Sequence, residues 1–135
     1  MNGTRLSPAA GAPELRAAVF RYAPEREFHT DELCHITELA NTPDDEALSV
    51  ALARVAPGIT TRWHRLRDTA ERYVMIAGRG VVEVDGLAPC AVGPHDVVVI
   101  PPGCRQRIRN VGDGELLFYA LCTPRFRAEA YEAAE

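Results

Sequence analysis

No apolar run in the sequence approaches the roughly 20 residues needed to cross a bilayer, and this excludes a membrane-spanning helix. The chain also lacks an excess of basic charge. Fifteen basic residues stand against 19 acidic ones, for a formal net charge of -4. A nucleic-acid surface needs a basic patch that displaces counterions, so that class of partner is excluded as well. None of the four cysteines, at 34, 90, 104 and 122, forms a Cys-x-x-Cys pair. They read as reduced, partly buried thiols rather than as a zinc cluster or a disulfide framework. The N-terminus has no charged-then-apolar leader pattern. A soluble cytoplasmic protein is the expectation. Internal repeats, linkers and low-complexity blocks are absent too, and 135 residues make one domain.

What is present is a series of short strand-like runs between turn signals. Residues 34–39, 48–55, 60–66, 71–76, 81–84, 97–100, 105–109 and 116–122 are rich in β-branched and apolar residues. Pro57-Gly58, Asp85-Gly86 and Pro101-Pro102-Gly103 punctuate them, and Asp85-Gly86 is a strong hairpin signal. Many short strands at turn spacing predict an antiparallel barrel or sandwich. Residues 1–30, broken by Pro8, Pro13 and Pro24, read as an arm. Within it a helix over 14–21 and an edge strand over 17–22 are both open readings. Residues 31–123 form the β domain. Thr123-Pro124 reads as a helix start, so residues 124–135, rich in alanine and glutamate, are predicted to form a short helical tail.

Two stretches carry the chemistry. The first runs Gly58, five residues, His64-Arg65-Leu66, four residues, Glu71, six residues, Gly78. The second runs Gly93, then Pro101-Pro102-Gly103, two residues, Gln106, three residues, Asn110. This pair resembles the two motifs of the cupin superfamily over roughly residues 34–122. The resemblance implies an all-β, single-domain, cupin-type jelly-roll β-barrel with a small molecule bound in its lumen. It also implies a homodimer, since small cupins often pair. Cupins commonly bind a divalent metal through three histidines and a glutamate. The resemblance therefore implies a metal site at His64, Glu71 and Gln106, holding iron, manganese, nickel, copper or zinc. Leu66 and Gln106 stand where the second and third histidines are expected. Leucine cannot ligate, and a glutamine carbonyl is a weaker donor than imidazole.

Three functions remain open at this point. One is a metal-dependent enzyme, a dioxygenase, isomerase or lyase, with His64 and Glu71 as ligands. Another is a metal-free enzyme, such as a cyclase or isomerase, in which His64 and Glu71 transfer protons. The third is a non-catalytic small-ligand binder. In each, strand alternation over 60–66 predicts that Arg62 shares the lumen face of His64 and clamps an acidic group of the ligand. Tyr73 shares the face of Glu71 and is expected to orient a ligand through its hydroxyl. Trp63, on the opposite side from His64, is expected outside the barrel. Arg105, Arg107 and Arg109 are expected to point outward.

Overall fold

The computed structural model describes residues 14–135. Eleven strands follow in chain order: β1 Phe28–His29, β2 His35–Ala40, β3 Ser49–Val55, β4 His64–Leu66, β5 Ala70–Ala77, β6 Gly80–Val84, β7 Cys90–Val92, β8 Val97–Ile100, β9 Gln106–Asn110, β10 Leu116–Thr123 and β11 Tyr131–Ala133. They form two antiparallel sheets, one ordered β1-β2-β3-β10-β5-β8 and the other β11-β4-β9-β6-β7. The fold is an all-β jelly roll. Burial alternates along the strands, so one face of each sheet turns inward. Val55, Met75, Ile100, Leu116 and Phe118 from the larger sheet meet Val82, Val84 and Ile108 from the smaller one in a single core.

The motif glycines and asparagine hold corners of this frame. Gly78 has φ +86°, and a Cβ there would stand 2.6 Å from the Glu115 carbonyl oxygen, so the β5–β6 turn excludes any side chain. Asn110 is buried. Its amide donates to the carbonyls of Val55 and Gly114, and its side-chain oxygen accepts the Gly112 N–H, each at 2.9 Å. One side chain thus ties β3, β9 and the loop before β10 together.

Three expectations need correction. The run 60–66 is a strand only from His64 onward, with Thr60 making one isolated bridge to Arg109. The Arg62 N–H goes instead to the Glu32 carbonyl at 2.9 Å, so the regular ladder is interrupted just before the site. The tail is no α-helix. It makes one 3-10 turn, Ala128–Ala130, and then β11 pairs with β4. A short helix is marginal in water, whereas an open edge at β4 offers a full ladder, so pairing wins over the preference of alanine. In the arm, residues 14–23 adopt neither the helix nor the edge strand. Only β1 pairs, with β2. The remainder of the arm, residues 1–13, lies outside the described residues.

Candidate active site

The site lies between the sheets, where the tail and the segment preceding β2 close over them. His64 opens β4 and sits opposite Gln106 of β9 in the ladder. Glu71 and Tyr73 point inward from β5, and all four side chains are buried. The fifth member was not foreseen: Glu32, from the turn before β2. Its backbone carbonyl holds the Arg62 N–H, and its Oε2 lies 2.9 Å from His64 Nε2. Leu33, next in the chain, has φ 70°. A left-handed leucine costs roughly 1–3 kcal/mol, and this strained turn carries the Glu32 carboxylate to the imidazole.

Hydrogen-bond logic fixes the protonation of the pair. His64 Nδ1 lies 2.8 Å from the Arg62 carbonyl oxygen, which can only accept, so Nδ1 carries a proton. Nε2 then meets a carboxylate, and the contact needs a second shared proton. Burial disfavours charge on the ring, but the hydrogen bond and negative charge of Glu32 outweigh it, and the His64 pKa is raised. The stable arrangement is an imidazolium held by Glu32. The ring of Tyr131, from β11, stacks on it at 5.4 Å between centroids.

A second chain of bonds runs beside it. The Tyr73 hydroxyl donates to Gln106 Oε1. Gln106 Nε2 donates to Glu71 Oε1 at 2.7 Å. The Cys122 thiol lies 3.8 Å from Glu71 Oε2. Burial pushes the Glu71 carboxyl up to about 7, although Gln106 and His64 pull it down. Tyr73 also packs on Phe118, with ring centroids 4.3 Å apart.

Glu71 and Glu32 line a cleft of about 370 Å³, walled by Phe28, Ile36, Phe126 and Tyr131, with Glu38 and Ser49 on its side. A smaller cavity of about 30 Å³ behind it brings together His64, Glu71, Glu32 and Tyr73. That is room for one or two water-sized groups. Burial pushes the Glu38 carboxyl up, against a lowering by Asn41.

The structure thus places His64, Glu71, Tyr73 and Gln106 together but leaves Arg62 outside. Arg62 is exposed and lines neither cavity, because the break before β4 removes it from the alternation. Tyr73 is a buried partner of Gln106 and reaches only the inner cavity. Trp63 lies on the outer surface under the guanidinium groups of Arg105 and Arg107, at 5.0 and 4.5 Å, as expected.

The donor set does not fit a histidine-rich metal centre. Among the described residues, no group of three or more His, Cys, Asp or Glu side chains is arranged to hold a metal ion. The one ligating atom of Gln106 is taken by Tyr73, and its amide nitrogen, which cannot ligate, faces Glu71. Both nitrogens of His64 are engaged, and Leu66 is a buried hydrocarbon.

A jelly roll of two antiparallel sheets with polar groups gathered between them is the architecture of the small cupin-type β domains. The sequence profile of the cupin domain matches residues 51–122, more than half of the chain. The protein belongs to the cupin family. No curated protein matches the chain in sequence. Among solved structures the chain is similar to KdgF from Halomonas, with TM-score 0.69 and 16% identity, covering 81% of this chain and 96% of that one. It is similar as well to the nucleoside dehydratase PAC13, with TM-score 0.70 and 16% identity, covering 87% of this chain and 92% of that one. Variants of PAC13, which is from Streptomyces, are known with uridine. A predicted oxalate decarboxylase from Thermotoga maritima gives TM-score 0.70 and 20% identity, covering 79% and 99%. At these identities the likeness is one of fold.

Proposed function

We propose that the protein is a metal-independent acid–base enzyme of the lyase or isomerase kind, acting on a small molecule held between the sheets. The observation that carries this is the pairing of two unlike groups, Glu71 lining the cleft and His64 in the small cavity behind it, with Glu32 between His64 and the cleft. Glu71 is a buried carboxyl with one oxygen fixed by Gln106, and it is poised near neutrality. His64 is an imidazolium held by Glu32. Environments that push two titratable groups toward opposite roles mark an acid and a base. In an elimination, Glu71 takes a proton from carbon while the proton that His64 shares with Glu32 passes by way of the Glu32 carboxyl, which lines the cleft, to the departing oxygen, which leaves as water. In an isomerisation, the same two groups take a proton from one carbon and return one to its neighbour. Glu32 relays that proton and otherwise steadies the imidazole, and Tyr73 acts through Gln106 on the direction of the Glu71 carboxyl. The sequence contains no lysine, so Schiff-base chemistry on that side chain is excluded. Similarity in fold to a nucleoside dehydratase supports the elimination reading.

Proton exchange gives a test that needs no known product. Purified protein treated with a chelator is incubated in deuterated water with a panel of sugars and nucleosides, and carbon-bound deuterium is read by NMR. Incorporation that survives chelation and vanishes in Glu71→Gln is expected. Stoichiometric iron, manganese, nickel, copper or zinc in the purified protein, with exchange lost on chelation, restores the metal-dependent reading. A small-molecule partner and a homodimer belong to the same proposal.

A further inference from the structure

The charged groups lining the 370 Å³ cleft are all of one sign: Asp31, Glu32, Glu38 and Glu71, with no arginine among the lining residues. Glu32 is balanced by His64. Glu38 has no such partner. Among the described residues it makes no ion pair, and its Oε2 is buried without a hydrogen bond. Of the hydroxyls nearby, Thr30 Oγ1 donates to the Cys34 carbonyl at 3.0 Å, and Ser49 Oγ accepts the Phe126 N–H at 2.8 Å, which leaves Ser49 a neutral O–H donor. The polar side of the cleft is therefore rich in acceptors and lacks cationic donors. Its other side is aromatic, formed by Phe28, Phe126 and Tyr131.

Carboxylates in a half-enclosed site repel an anion, because apolar walls screen charge less than water does. They bind hydroxyl and amino donors well, through charge-assisted hydrogen bonds. Flat aromatic walls favour a ring. We infer that this cleft takes an uncharged ring compound rich in hydroxyl or amino donors, and that Glu38 on β2 selects it over carboxylates and phosphates. The inference rests on the reading of the cleft as the working site and adds the class of molecule that enters it. It also reverses the role assigned to Arg62, which would have favoured an acidic ligand.

Matched probes differing in one charged group test this by titration calorimetry at neutral pH: uridine against uridine 5′-monophosphate, and methyl glucoside against methyl glucuronoside. The uncharged member of at least one pair is expected to bind about tenfold more tightly than its anion, a difference of about 1.4 kcal/mol. In Glu38→Gln, which keeps the side chain's size, that ratio is expected to shrink by about threefold or more. An unchanged ratio in the folded variant removes Glu38 from the selection. Anions binding as tightly as the uncharged probes, or no uncharged probe binding at millimolar concentration, overturns the ligand class. Binding alone is read here, so absence of proton exchange defeats the acid–base reading without touching this one.

Discussion

Glu71 is where environment changes the chemistry of a residue most. Burial pushes its carboxyl up to about 7, from an ordinary 4.5. The folded state therefore holds a proton that the unfolded state releases between those two values. By linkage, this contribution to stability is complete below about 4.5 and is lost as pH rises through about 7. The raised His64 pKa acts in the same direction, its contribution being lost as pH climbs above the ordinary histidine range. The Glu71 shift corresponds to about 3 kcal/mol. Glu71→Gln keeps an acceptor for Gln106 and removes the titration, so urea midpoints measured across this pH range should flatten markedly. A variant as pH-sensitive as the parent would contradict the buried carboxyl. Tyr73→Phe leaves Gln106 Oε1 buried without its donor, and unfolding should cost about 1–3 kcal/mol less. A loss within error would mean that the hydroxyl is not part of the chain of bonds. That His64, Glu71 and Gln106 lie together was legible through the resemblance of the two stretches to the cupin motifs. Glu32 was not, because it arrives through a strained turn 32 positions before His64, and no spacing rule links a turn to a strand it meets only in the folded chain. The direction of the Gln106 amide was equally hidden, since only its neighbours decide which end faces Glu71.

At the scale of elements, β2 to β6 and β8 to β10 were legible because β-branched runs and Gly-Pro corners set them locally, whereas β1 and β7, two and three residues long, carry too little pattern to show. The failures fall where a distant segment intervenes. The Glu32 segment takes the N–H of Arg62, and the tail takes the free edge of β4. Neither partner is near in sequence, so alternation and alanine content pointed the wrong way. The tail matters to the site as well as to the fold. Phe126, Ala128 and Tyr131 wall the cleft, and Tyr131 stacks on His64. Its outer side is held by Glu132 against Arg65 and Arg67 at 2.9 and 3.2 Å. Such exposed pairs contribute little, because water screens the charges and holding two long side chains in one geometry costs entropy. Two changes should therefore separate. Glu132→Ala should leave the urea midpoint nearly unchanged and ligand affinity intact. Tyr131→Ala should weaken the binding of an uncharged ring probe by about tenfold, through lost aromatic contact. Calorimetric titration of both variants checks this, and equal affinities would mean that the tail only covers the β4 edge.

The whole molecule leaves apolar surface in two places. On the larger sheet, Val97 and Val99 of β8 and Tyr119 of β10 are exposed. The ladder sets Leu52, Tyr119, Val74 and Val97 in one row across β3, β10, β5 and β8. The arm adds Leu15, Val19, Phe20 and Tyr22, each more than half exposed. Scattered exposed apolar residues are ordinary, but a row along a sheet face together with an apolar arm is the kind of surface that self-association covers. Two-fold pairing is the commonest way for identical chains to cover such surfaces, because one patch then meets its own copy. The protein is therefore expected to sediment at micromolar concentration as a dimer of 14.8 kDa chains. Val97→Glu places a charge in the row without touching the core, since Val97 is 56% exposed. It should shift the equilibrium toward monomer by about tenfold or more while the monomer stays folded, as burying an unpaired carboxylate is costly. A single monomeric species for the parent chain would refute the pairing. A dimer unaffected by Val97→Glu would move the contact to the arm, where Phe20→Glu tests it in the same way.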